Sequence, residues 1–514
     1  MSLVKTTKFQ LWGILSMLIL WSSCRKDFDY QASTGQLSFS KDTIYLDTVF
    51  STIGSSTYSL KVYNRSHTDI QIPSIALKNG VDSKYRINVD GQSGMEFFNT
   101  PLLAKDSLYI FIEVTYSISS TDEKDFLYTD ALLFDSGTNQ QSVPLITLIK
   151  DAIFLYPKKD AKGLSQTISL DIGTDGSTLT TNGFFLDENQ LNFSNEKPYV
   201  IYGYAAIPKT KTLTITAGAH IYFHQNSGIL VTANSSLRIN GSPSSDPIAL
   251  ENEVIFEGDR LEPGLGTIPG QWGTIWFDKE SSDNHINHLT VKNATIGLFV
   301  HGNNAENVTN LYIDNSQIHN SAIANLWGKS AHIKGTNLVL GNAGLTSLYC
   351  NNGGYYTFTH TTIANYWTEG LRSGAALQID HIQREENSNL YKADFLNCII
   401  DGNNTTELFL NRSDNNLAFN YSFTNCMLKI SSNSATNDNP LYDFEDTVYY
   451  KAIFLNKNSD FSNPKQNDFS LKATSFAIGR ANVEGAALVP KDILNKDRTI
   501  LPDIGSYQFF LINN

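Results

Sequence analysis

Between 35 and 152 the chain alternates apolar and polar residues in short runs separated by turn residues. "YSLKVYNRSHTDIQI" sets Leu60 and Val62, then Ile70 and Ile72, on one face of two strands, with the polar run 64–69 connecting them. "SLYIFIEVTYS" and "TDALLFDSG" keep the same period of two, the signature of strands with one buried face. Several such strands in so short a stretch predict a β-sandwich over 37–152. Further on a longer regularity takes over. Asn293, Asn315 and Asn337 recur every 22 residues in "VKNATI", "IDNSQI" and "GTNLVL"; the phrase continues in "FTHTTI", in "FLNCII" with Asn397 and in "FTNCML" with Asn425. In all six, Ile or Leu lies three positions after the Asn or the His that replaces it. A fixed period in this range predicts stacked coils. Asn suits a corner between two inward-facing strands, because it tolerates left-handed backbone angles and its amide can bond both along the backbone and to the Asn of the next coil, so a structural ladder of Asn293, Asn315, Asn337, Asn397 and Asn425 is expected.

Composition narrows the partners. The 514 residues predict more than one structural unit. Net charge is −13, and the Lys and Arg residues form no cluster, which argues against nucleic acid. Cys398 and Cys426 follow their corner Asn in a slot that Ala294, Ser316, Leu338 and Thr361 fill elsewhere. Packed thiols are the expectation and a disulfide the alternative; no CxxC or His-rich cluster supports a metal or redox site.

At the N-terminus, Lys5 and Lys8 precede the apolar "LWGILSMLIL", too short to span a membrane, and "WSSC" closes it. This resembles a bacterial lipoprotein signal, with residues 1–23 removed and Cys24 acylated; Trp21 stands where Leu is usual. The "RKDFDY" stretch within 24–36 is similar to tethers of Bacteroidetes outer-membrane lipoproteins. The resemblance implies a lipid anchor in the outer membrane and exposure at the cell surface.

The order of strands in 37–152 resembles immunoglobulin-like modules. The stretch "KTLTITAGAHIYFHQNSGILVTANSSLRINGSPSSDPIAL" resembles the opening coils of right-handed parallel β-helix repeat proteins of pectin-lyase-like fold, and "GQWGTIWFD" their following coil. "NDFSLKATSFAIGRAN" with "PDIGSYQF" looks like the ending of many Bacteroidetes surface proteins of this class. The expectation is therefore an all-β chain: an immunoglobulin-like β-sandwich at 37–152, a connecting segment at 153–199, a right-handed parallel β-helix at 200–445 and a capping module at 446–514.

Lyases of this fold need converging carboxylates around Ca²⁺ and a nearby Arg. The one local match, "LQIDHIQRE", offers Asp380, His381 and Arg384, and alternation on a strand explains it as simply. Hydrolases need paired carboxylates, and no Asp-Asp pair is found. Catalytic residues are therefore not assigned; no cofactor or metal is expected, and Ca²⁺ enters only with the enzyme alternative. Trp327, Tyr355, Tyr356, Tyr366 and Trp367, set among Asn, are candidates to stack on sugar rings, or else core residues of wide coils. The expected function is a non-catalytic surface protein that binds glycan or a protein partner. The alternatives are a polysaccharide lyase or hydrolase, and an accessory subunit of an outer-membrane complex.

Overall fold

The computed structural model describes residues 30–117, 125–171, 178–262, 264–381, 388–413, 416–431, 436 and 439–510. Cys24 and the signal segment lie outside them. The chain is built almost wholly of strands and forms two compact units, Met1–Lys150 and Asp151–Asn514.

In the first unit, six strands form one sheet and five the other, and both contribute to one core. Tyr58–Tyr63 and Ile70–Leu77, expected to share a face, belong to different sheets. Leu60, Val62 and Ile72 reach the core from opposite sides, while Ile70 at the strand start stays half-buried. Asn64 fixes the crossing: its Nδ2 donates to the carbonyls of Thr68 (2.8 Å), Leu102 (3.2 Å) and Leu103 (3.0 Å), and its Oδ1 accepts from the Ser66 amide.

The second unit holds an 11-stranded parallel sheet and an 18-stranded sheet that is parallel apart from its first pair, Thr167–Asp171 with Thr178–Phe185. Its rungs begin earlier than the sequence suggested. Ile153–Leu155 pairs with Tyr199–Ile201, and Thr178–Phe185 with Tyr204–Ile207, so part of the expected connecting segment already forms rungs. Registers stay close to the sequence period: Leu311 pairs with Ile333, 22 residues on, and Ile333 with Tyr356, one residue more because the register shifts between Lys329 and Ala331. Alternation turns one set of side chains inward, and identical types stack down the core. The rings of Phe358, Phe395, Phe423 and Tyr450 follow one another at 5.6, 4.9 and 5.7 Å, nearly parallel.

The corner residues take left-handed backbone angles: φ is 63° at Asn293, 48° at Asn315, 53° at Asn337, 49° at His360, 56° at Asn397 and 48° at Asn425. A β-carbon resists this region, and Asn is the side chain that enters it most readily. Their amides form no continuous ladder. Asn337 Nδ2 donates to Asn315 Oδ1 (2.8 Å), but Asn315 Nδ2 turns to Asn287, Asn293 to the Gly266 carbonyl, and Asn425 to the Arg480 carbonyl. At the substituted corner, Asn397 Nδ2 donates to His360 Nε2 (2.9 Å), leaving Nδ1 to donate to the Gly505 carbonyl (3.2 Å). Cys398 and Cys426 are buried free thiols on adjacent rungs, the Cys398 amide donating to Cys426 Sγ (3.4 Å). Burial pushes the Cys398 thiol well above its ordinary range.

Parallel pairing continues to Phe454–Leu455, which pairs with Met427–Leu428. The chain then runs back along the outward face of the 11-stranded sheet, where Phe461, Phe469, Leu471, Ile493 and Ile504 bury Val339, Ala364, Ile399 and Met427. Two charged residues hold this segment in place. Asp503, in "PDIG", accepts from the amides of Gly479 (2.7 Å) and Phe509 (2.6 Å). Arg498, almost fully buried, donates to Asn337 Oδ1 (2.9 Å) and to the carbonyls of Gly505 (3.0 Å) and Ser506 (3.1 Å).

Candidate functional site

Seven strands of the 18-stranded sheet, from Gly228–Val231 to Leu408–Asn411, pair in parallel and in register. Their inward positions are filled by Ile229, Ile275, Leu298, Leu326, Leu348, Leu377 and Leu408. The period of two then points the next residue of each strand outward. Those outward residues form a column: Leu230, Trp276, Phe299, Trp327, Tyr349, Gln378 and Phe409. A second outward column two residues on reads His301, Lys329, Asn351, Asp380 and Asn411.

The aromatic column is contiguous. Trp276 meets Phe299 at 4.5 Å and Phe299 meets Trp327 at 5.3 Å, both edge-on, and Trp327 leans on Tyr349 at 5.1 Å. Trp327 and Tyr349 are half-buried, and the Trp327 indole N–H has no acceptor among the described residues. Beside them, Asp380 accepts from Asn351 Nδ2 (2.8 Å), Gln378 Nε2 (2.5 Å) and the Tyr349 hydroxyl (3.1 Å). Burial first, then the neighbouring Asp380 carboxylate, raises the Tyr349 phenol above its ordinary range, so it stays a neutral donor. Phe299, Asn351 and Asp380 are buried, so the arrangement presents the half-buried rings of Trp327 and Tyr349 with the Gln378 amide, held by the network beneath them, the chemistry that suits a polyhydroxylated ring.

The other candidates scatter. His381, one residue past Asp380, turns the other way, its buried ring edge-on to core residue Phe419 at 5.0 Å; the two do not form one site. Arg384 lies outside the described residues. Tyr356 is a core residue whose hydroxyl donates to the Gly328 (3.1 Å) and Gly353 (3.0 Å) carbonyls. Trp367 is buried as well, and Tyr366 bonds Asp401 (2.9 Å) and meets Phe461 of the C-terminal segment edge-on. Tyr355 stacks on Tyr391 at 5.0 Å in a different column. The run 351–367 looked like one aromatic cluster because it spans a strand, the left-handed corner at His360 and the next strand, which send neighbouring residues to different faces. Phe299, Tyr349, Lys329 and Asn351 were missed; aligning strands by rung would have shown the column. Among the described residues no group of three or more His, Cys, Asp or Glu is placed to hold a metal ion.

Neither a family model nor a curated protein matches the sequence. Among solved structures, the chain is similar to the catalytic unit of a thermostable GH87 α-1,3-glucanase from Streptomyces thermodiastaticus. Identity is 10% and TM-score 0.22, covering 77% of this chain and 67% of that one. It is also similar to an ASH/PapD-like domain of human CEP192, with 14% identity, TM-score 0.16 and coverage of 25% and 94%. The E. coli chaperone DraB follows at 11%, 0.16, and coverage of 24% and 58%. At these TM-scores the likenesses carry no argument about function.

Proposed function

We propose that the protein is a lipid-anchored lipoprotein at the outer face of the outer membrane. In this reading the first unit is an immunoglobulin-like sandwich, and the second a right-handed parallel β-helix that binds glycan without cleaving it. The observation that carries the binding role is the half-exposed trio Trp327, Tyr349 and Gln378, backed by buried Phe299 and fixed by the buried Asn351–Asp380 network. Asp380 supports binding over catalysis, because a carboxylate that already accepts from three protein donors is poorly placed to take a proton from a substrate. The anchor rests on "WSSC" with Cys24 and on the charged stretch after it. A glycan array probed with the full chain and with Trp327→Ala is the test. Binding by the wild type that the variant loses supports the reading; equal binding by both, or release of reducing ends from a bound polysaccharide, overturns it. For the anchor, Cys24→Ala is expected to leave the membrane fraction, and its retention there refutes acylation.

A further inference from the structure

The five-stranded sheet of the first unit presents a second aromatic face that its own fold does not use. Alternation in Tyr58–Tyr63 and Ser107–Val114 buries Leu60, Val62, Leu108, Ile110 and Ile112, and so turns Lys61, Tyr63, Tyr109 and Phe111 outward. Tyr109 and Phe111 are 46% and 42% exposed, and their rings lie 6.1 Å apart and within 11° of parallel. Lys61 pairs opposite Tyr109, and its ammonium sits 5.0 Å from that ring and 5.6 Å from Tyr63; the Arg65 guanidinium covers Tyr63 at 4.0 Å. Neither cation has a carboxylate partner among the described residues. Phe111 also walls a groove of about 720 Å³ that Arg86, Asn88, Ser93 and Glu113 line.

Two nearly parallel, partly exposed rings are an unfavourable surface for water and a good one for the apolar face of a sugar. The ring faces hold these cations at the edge of the aromatic patch. On a chain of net charge −13, two cations without carboxylate partners beside an aromatic platform are a local complement to an anion. We infer that this face is a binding site for an acidic polysaccharide. Tyr109 and Phe111 stack on successive sugar rings, Lys61 and Arg65 meet their carboxylate or sulfate groups, and Arg86, Asn88 and Ser93 bond hydroxyls in the groove. The site is separate from the Trp327 column and does not depend on it.

Affinity electrophoresis of the full chain through gels holding carboxymethylcellulose, cellulose sulfate or neutral hydroxyethylcellulose tests this. The wild type is expected to be retarded by one or both charged polymers and at least about tenfold less by the neutral one. The double variant Tyr109→Ala/Phe111→Ala is expected to lose about tenfold in affinity. Lys61→Gln/Arg65→Gln should weaken binding and flatten its salt dependence; it keeps the aromatic surface, so it tests the site even where the first variant folds poorly. Trp327→Ala is expected to bind as the wild type does, which separates this site from the other. The stronger of the two charged polymers names the anion. No retardation of the wild type, retardation by the neutral polymer equal to that by the charged ones, or unchanged binding in the Lys61/Arg65 variant overturns the inference.

Discussion

Replacing Arg498 by Met should loosen the C-terminal segment while leaving the sheet beneath it intact. Two opposing quantities set the size of the effect. Burial pulls the guanidinium pKa down to about 10 from 12.5, against the nearby carboxylates of Asp492 and Asp503, which corresponds to a penalty of roughly 3 kcal/mol for keeping the charge inside. Against this stand three charge-assisted hydrogen bonds, to Asn337 Oδ1 and the Gly505 and Ser506 carbonyls, at about 1.5–3 kcal/mol each. Methionine removes both contributions and fills most of the volume, but it leaves those acceptors and the two carboxylates without their cation. The hydrogen bonds win, and the expected net loss is about 2–5 kcal/mol. Since the chain has two units, a single global melt would blur this, and local opening is the better observable. Hydrogen exchange of amides in 456–510 should accelerate by about thirtyfold or more, while amides of the inward rungs such as Leu311–Asp314 keep their protection. Exchange within about threefold of wild type across 456–510 would refute the reasoning and mean that apolar packing alone holds the segment.

Gly341→Ala probes that packing directly: its β-carbon would sit 2.2 Å from the Phe469 ring, so a loss of about 1–3 kcal/mol and faster proteolysis after residue 456 are expected; unchanged proteolysis would contradict it. The buried pair Arg372–Glu407, bonded at 2.5 and 2.9 Å, secures the turn after Trp367. Glu407→Ala should cost about 3–5 kcal/mol in urea denaturation by stranding the guanidinium, while Arg372→Met/Glu407→Met recovers most of it; equal loss in both variants would argue against a stranded charge. His319 is held neutral, its pKa driven down to about 3 by burial and then by Lys292. Its folded value lies below the unfolded one near 6.5, so its stability contribution is complete above about pH 6.5 and is lost as pH falls toward 3, at about 1.4 kcal/mol per pH unit. His319→Gln should flatten the stability profile over that window, and an unchanged slope would show that other groups dominate it.

Much of this architecture is legible in the sequence because its cause is local. Alternation with period two reflects strands that each bury one face, and it marks Leu60, Val62 and Ile72 without knowledge of their partners. The Asn interval is legible because a corner that needs φ near +50° selects a side chain at each turn, and only the chain's own period spaces those turns. What the sequence left open depends on phase and on long-range contact. After a left-handed corner the inward and outward sets are renumbered, so Trp327 falls on the outward column while Tyr356, in a similar-looking run, fills the core. Asp380 and His381 stand side by side in the chain and face opposite ways because successive residues of a strand alternate. The C-terminal segment shows the other limit. Its motif announces an ending but not what that ending covers, because the bond from Arg498 to Asn337 joins residues 161 positions apart, and no local pattern encodes a contact that exists only once the rungs between them have stacked.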